Sequence, residues 1–305
     1  MTRHRFYQLD VFTDHALRGN PLAVFPDADG LAGETMQALA REMNLSETTF
    51  VLPSTEATKR LRIFTPGGEV PLAGHPVIGT WWLLAELGIV PNGPADGETT
   101  VTQETGRGVL PVAIAFAGGR PARVTMTQAS PEFGAAVSNP KALARALGAD
   151  VSALAERPAP QVVSTALPQL MVPIATREAL AALPAGGTGG ALAAYLRALG
   201  TDCVMCYVAT RTPDGAEVFA RMFAPGLGVP EDPATGSASG ALGAYLVTHG
   251  LVGAAAGTTR ITVRQGIEMG RASTIHVEVT TRDGAVTTLK VGGTAVRIIE
   301  GEVTL

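Results

Sequence analysis

Cysteine is almost missing from this chain of 305 residues, which holds only Cys203 and Cys206, in the run TDCVMCYVA. A Cys-x-x-Cys pair invites a redox or zinc reading. No second ligand pair accompanies this one, however, and the run around it is apolar and strand-like, which favours two buried strand cysteines. Charge is also sparse, at 16% with a net of −4 and no basic run or basic–aromatic stripe, which excludes the footprint of a nucleic-acid binder. No apolar run approaches the ~18–20 residues of a membrane span. The start, MTRHRFYQLDVF, alternates like a strand and lacks the apolar region of a signal peptide, so a soluble cytoplasmic protein is expected. No Gly-Lys-Ser/Thr occurs, so there is no phosphate-binding Walker loop. GGTGG at 186–190 lacks the Gly-x-Gly-x-x-Gly spacing and a preceding strand. GSASG at 236–240 places Ala238 where a nucleophile elbow needs serine. The five histidines (His4, His15, His75, His249 and His276) form no His-x-x-x-His pair, and no metal is expected.

What the chain does have is apolar residues, 46% of the total, and a length that suggests about two domains. It also has a repeat. RIFTPGGEVP (Arg62 to Pro71) and RMFAPGLGVP (Arg221 to Pro230) are identical at six of ten positions, at an offset of 159 residues. HPVIGT then follows at His75 and DPATGS at Asp232. A solenoid repeats every ~20–50 residues, so this spacing points to two related domains, each turning through Pro and Gly into a helix. Those helices, expected at Pro76–Leu87 and Ser237–Thr248, are apolar nearly all round and therefore buried. Further helices are expected at Gly33–Met43, Pro140–Gly148 and Gly190–Leu199.

Most of the remainder reads as short strands. They are expected at Phe6–Phe12, Leu22–Phe25, Thr49–Leu52, Lys59–Phe64, Gly108–Phe116, Arg123–Gln128, Gln169–Pro173, Cys203–Ala209, Ala216–Phe223 and Arg260–Gln265. Asp283-Gly284 joins Thr274–Thr281 to Ala285–Val291 in the clearest hairpin signal, and a last strand is expected at Thr294–Glu300. Asn92–Glu98 reads as a turn-rich loop and Ala179–Gly190 as a flexible connection. The simplest architecture is α+β, with a mainly antiparallel sheet wrapped around each apolar helix. The first domain spans residues 1–118, joined by 294–305, and the second spans 119–293.

A helix start carries about four unpartnered N–H groups and a partial positive charge, and so can hold a carboxylate or phosphate. Pro costs nothing there, and Gly lets a ligand approach the backbone. Gly74-His75-Pro76 and Asp232 through Gly236-Ser237 fit this pattern, and a small anionic substrate would lie between His75 and Asp232 at the domain junction. The bland alternative is that Asp232, Ser237 or Thr80 caps its helix and that His75 is a satisfied core histidine. Two copies carrying unlike ionisable residues favour the functional reading. Glu47, just before a strand, is a third candidate, since a carboxyl beside apolar strands suits proton transfer; a solvated loop carboxylate is the alternative.

GNPLAVF (Gly19–Phe25), NLSETTFV (Asn44–Val51), RIFTPGGEVPLAGHPVIGT (Arg62–Thr80), EDPATGSASGALGAYL (Glu231–Leu246) and RQGIEMGRAS (Arg264–Ser273) together resemble the PhzF-like phenazine-biosynthesis family, across nearly the whole chain. The resemblance implies the diaminopimelate-epimerase-like fold, two pseudo-symmetric domains with the site in the cleft between them. It implies a cofactor-independent isomerase, in which Glu47 is the general acid/base acting on a small unsaturated or cyclic amino or hydroxy acid. His75 and Asp232 match the family's polar active-site pair, which fixes amine or hydroxyl groups or relays the proton. Asn20, Gly74, Gly236 and Ser237 fall at substrate-holding positions. Diaminopimelate epimerase carries cysteines where this chain has His75 and Asp232, which removes the two-thiol mechanism. The resemblance also implies a homodimer. An amino-acid racemase or epimerase and a non-catalytic binder of small carboxylates are the competing functions. Loops such as Asp14–Arg18, Gln128–Phe133 and Thr210–Gly215 are expected to line the pocket.

Overall fold

The computed structural model describes residues 2–90, 93–253 and 256–305. The chain forms two compact units, Met1–Thr127 with Gly292–Leu305, and Gln128–Val291. The first contains β1 (Arg3–Val11), β2 (Asn20–Phe25), α1 (Gly33–Met43), β3 (Thr48–Leu52), β4 (Lys59–Phe64), β5 (Glu69–Val70), α2 (Gly74–Glu86), β6 (Gly97–Thr105), β7 (Gly108–Ala117) and β8 (Arg120–Thr127). The second opens with β9 (Glu132–Ala136), α3 (Pro140–Leu147), β10 (Gln161–Ser164), β11 (Pro168–Pro173), α4 (Arg177–Ala181) and α5 (Gly190–Ala198). It continues with β12 (Val204–Thr212), β13 (Gly215–Ala224), β14 (Val229–Asp232), α6 (Gly236–Thr248), β15 (Gly257–Gln265), β16 (Ser273–Arg282) and β17 (Ala285–Gly293). The last strand, β18 (Ala295–Thr304), returns to the first unit and pairs with β1.

Each unit is α+β, a mainly antiparallel sheet around one helix. In the first, β18, β1, β2, β3, β4, β6, β7 and β8 pair in that order, antiparallel except β2–β3 and β4–β6. Ten of the thirteen residues of α2 are buried, and the helix touches β1, β2, β3, β7, β8 and β18. An apolar helix with no polar face has to be enclosed on all sides, and the rolled sheet does this. Contact is close at Gly79, where a Cβ would stand 2.6 Å from both Leu22 Cδ2 and Val11 Cγ2. On the sheet's other side α1 buries Met36, Leu39 and Ala40 against Phe25, Phe50 and Phe64.

The second unit repeats this topology. β9 to β13 pair in chain order, β13 pairs in parallel with β15, and β15 pairs with β16. Ten of the thirteen residues of α6 are likewise buried, against β10, β11, β15 and β16. The repeated decapeptide occupies the hairpin β4–β5 in one unit and β13–β14 in the other, and each hairpin leads into the central helix. Its arginine makes the same contact in both copies, a bidentate clamp on a glutamate. Arg62 donates to Glu69 at 2.8 and 2.6 Å, and Arg221 to Glu231 at 2.8 and 2.7 Å.

Several expectations need correction. The first unit runs to Thr127 where residue 118 was expected, because β8, anticipated as Arg123–Gln128 in the second half, pairs with β7 and packs on α2. Of the loop expected at Asn92–Glu98, Asn92 lies outside the described residues, and Gly97 already opens β6. Ala179–Gly190 is held rather than loose. It begins within α4, Leu180 and Leu183 are buried, and Arg221 Nη1 donates to the carbonyls of Leu180, Ala181 and Leu183. Asp283 and Gly284 have φ of 52° and 78°, the two positive values that a tight type I′ hairpin turn requires.

The two clamps differ in burial, 4% and 5% side-chain exposure for Arg221 and Glu231 against 23% and 41% for Arg62 and Glu69. Arg221→Leu strands a buried carboxylate and is expected to cost about 3–5 kcal/mol, whereas Arg62→Leu removes a partly exposed pair worth ~1 kcal/mol or less. Urea denaturation of both variants checks this, and equal losses would contradict it.

Candidate active site

In the first unit, the residues singled out from the sequence gather where β2, β3 and α2 begin. The αL residue Asn44 ends α1, and a short link brings Glu47 to the residue before β3. β3 runs parallel to β2, so Glu47 lies near the Asn20 end of β2, and Ser46 Oγ donates to Asn20 Oδ1 at 3.5 Å. Gly74 and His75 are the first two residues of α2.

His75 is 6% exposed, and its ring nitrogen Nε2 stands 3.4 Å from Glu47 Oε2. The ring hydrogen-bonds the backbone of Pro21. Proline has no N–H, so the Pro21 carbonyl accepts and the imidazole donates. Nε2 makes no hydrogen bond, so the donor is Nδ1. Burial pulls the imidazole from 6.5 down to about 3, outweighing the Pro21 bond, which acts in the opposite direction. His75 is therefore neutral near pH 7, its tautomer set by Pro21, with an acceptor lone pair on the side of Glu47.

Neither central helix is capped by the side chain of its own N-cap residue. Ala73 at the N-cap of α2 has no capping group, and no acidic residue lies in the first turn. The N-cap of α6 is Thr235, a good capping residue, yet it makes no cap bond and again no acid lies in the first turn.

In the second unit, Asp232, Gly236 and Ser237 come together at the start of α6, braced by glutamines. Asp232 Oδ2 accepts the Thr235 hydroxyl. Gln128 Nε2 donates to the Gly236 carbonyl at 3.0 Å and its Oε1 accepts from Thr165 Oγ1 at 2.8 Å. Gln169 Nε2 donates to Ser237 Oγ at 3.0 Å, which leaves the serine hydroxyl proton for another acceptor. Gln265, too, bonds Asp232 and Thr235 through their backbones. Sequence reasoning missed these roles. Gln265 fell inside RQGIEMGRAS and Gln128 at the edge of an expected pocket loop, but Thr165 and Gln169 carried no signal, since one amide or hydroxyl beside a strand has no pattern.

The cysteines stand apart from this chemistry. Cys203 and Cys206 are buried at the start of β12, and burial pushes both thiols up to about 12, which removes the thiolate that a base or nucleophile needs. Among the described residues, no three His, Cys, Asp or Glu side chains cluster as metal ligands would, and no helix is long and apolar enough to cross a membrane.

Comparison with known proteins shows the family and the fold. The model of the family described as phenazine biosynthesis-like protein matches residues 9–301. An uncharacterized isomerase of Clostridium acetobutylicum is 35% identical over 311 residues, covering 99% of this chain and 99% of that one. The trans-2,3-dihydro-3-hydroxyanthranilate isomerase of Pseudomonas aeruginosa is 34% identical over 98% of both chains. Among solved structures, a PhzF-family phenazine biosynthesis protein from Bacillus anthracis superposes over 100% of both chains with a TM-score of 0.89 at 29% identity.

The depressed imidazole ties stability to pH. Between about 3, folded, and 6.5, unfolded, the unfolded chain binds the proton and the folded one does not. The His75 contribution is thus whole above 6.5 and lost as pH falls toward 3, at up to ~1.4 kcal/mol per pH unit. Urea midpoints across this range should fall less steeply for His75→Gln than for the native chain; parallel slopes would contradict the burial of a neutral imidazole.

Proposed function

This chain belongs to the phenazine biosynthesis-like protein family and is an isomerase, and from that premise we propose that it moves a proton within a small unsaturated or cyclic amino or hydroxy acid, with Glu47 as general acid/base and no cofactor. The observation that carries this reading is the Glu47–His75 pair. Two unprotonated acceptors, an imidazole lone pair and a carboxylate oxygen, repel at 3.4 Å. One proton between them turns that repulsion into a hydrogen bond. Because burial keeps the imidazole neutral, a proton taken from a substrate carbon stays on Glu47, hydrogen-bonded to the His75 lone pair, until Glu47 returns it.

The remaining roles follow from the helix starts. The substrate carboxylate is held by the N–H groups at the start of α6 near Gly236 and by the hydroxyl of Ser237, where the dipole favours negative charge. Asn20 and His75 keep Glu47 in place, and Asp232 binds a polar group of the substrate. With the carboxylate neutralised, Glu47 takes a proton from the carbon alpha or vinylogous to it and returns one along the same unsaturated system, so that a double bond shifts without redox change. The name of the Pseudomonas aeruginosa relative supports a cyclic amino acid bearing a ring double bond and a hydroxyl as the substrate class. Epimerisation by paired thiols is disfavoured, because the only cysteines are buried with thiols that hold their protons.

Glu47→Gln preserves shape and removes the titratable oxygen. It is expected to abolish solvent-deuterium incorporation into a dihydro-hydroxyanthranilate analogue, a loss of roughly 100–10,000-fold, while binding survives. Incorporation at the native rate would sink the assignment.

A further inference from the structure

The carboxamide of Gln265, on β15 and fully buried, is oriented by two backbone groups. Its Oε1 accepts the Thr235 N–H at 3.1 Å, and its Nε2 donates to the Asp232 carbonyl at 2.7 Å. An N–H only donates and a carbonyl only accepts, so the amide cannot be turned over. The same Nε2 donates to Thr235 Oγ1 at 3.0 Å. That bond occupies a lone pair of the hydroxyl and directs its proton to its other partner, Asp232 Oδ2. Hydrogen-bond donation therefore runs one way, from Gln265 through Thr235 to the carboxylate. Thr235 gives up its ordinary use for this, since an N-cap threonine usually accepts from the second or third N–H of its helix and here it does not.

Resting on the reading that Asp232 meets the substrate, we propose that Thr235 and Gln265 are positioning residues that hold Asp232 ionised and accepting, so that it takes a donor group of the substrate, an amine or hydroxyl, and leaves the migrating proton to Glu47. A carboxylate that already accepts a hydroxyl proton favours its charged form and resists service as an acid. The roles of the two repeat copies then divide. The His75 side manages a proton, and the Asp232 side recognises a donor. A substrate with a carboxylate and a neighbouring N–H or O–H is selected over a bare carboxylate.

The test compares calorimetric binding of 2-aminobenzoate and benzoate, which differ in one amino donor, by the full-length native protein and by Thr235→Val, Thr235→Ser and Gln265→Leu. The native protein should prefer 2-aminobenzoate by about tenfold or more, the value of a hydrogen bond to a charged group. Thr235→Val and Gln265→Leu should bring that preference close to unity by weakening 2-aminobenzoate more than benzoate, and Thr235→Ser should restore it. A preference that survives in Thr235→Val overturns the proposal. So does equal loss of both probes in that variant, which would mark a structural role only, and so does a native protein that binds neither probe or shows no preference. The deuterium assay on Glu47→Gln is independent of every one of these outcomes, so failure here is distinguishable from failure of the isomerase reading.

Discussion

The rest of each unit depends on enclosing a helix that has no polar face. α2 and α6 each bury ten of thirteen residues, and a sheet must roll around such a helix to cover it. Enclosure brings the helix start into the protein, where water no longer satisfies its first N–H groups. Side-chain caps are one common way to satisfy such groups. Here neither N-cap side chain makes a cap bond, and no acid lies in the first turn. At the start of α6 the surrounding glutamines hold the helix end in place.

How those neighbours are satisfied shows the same economy. Trp81, fully buried on α2, donates its indole N–H to Gln103 at 2.8 Å, so the largest side chain in the first core leaves no orphan donor. Arg221 and Glu231 neutralise one another and hold three carbonyls of the segment behind them. This buried ion pair contributes less through its charge than through the geometry it imposes on the hairpin leading to Asp232. Glutamines at the start of α6 supply donors without adding charge. A lysine in their place would bring a net positive charge beside Asp232 and compete with the substrate for it.

Legibility in the sequence followed how strongly each segment depended on apolar patterning. α1 spans Gly33–Met43 and β4 spans Lys59–Phe64, both as the periodicity indicates, because one face of each is plainly apolar. β6 was missed because, of GETTVTQET, only Val101 is apolar, while buried inward positions are filled by Gln103 and Thr105. β9 is exposed along its whole length and carries no alternation to read. α4 is five residues long, too short for a period. At the site, Glu47, His75 and Asp232 stood out because ionisable residues beside apolar elements are costly unless used. The glutamine braces did not stand out, since whether an amide braces a helix or lies idle is decided only by tertiary contact.

The central claim is that His75 is a neutral acceptor aimed at Glu47, its tautomer set by Pro21. Nitrogen NMR of the imidazole in the native protein tests this most directly. The account predicts that Nδ1 carries the proton, that Nε2 is unprotonated, and that this state holds as pH falls through 6.5, where a free histidine would titrate. A proton on Nε2 at neutral pH, or an imidazolium appearing near 6.5, would contradict it.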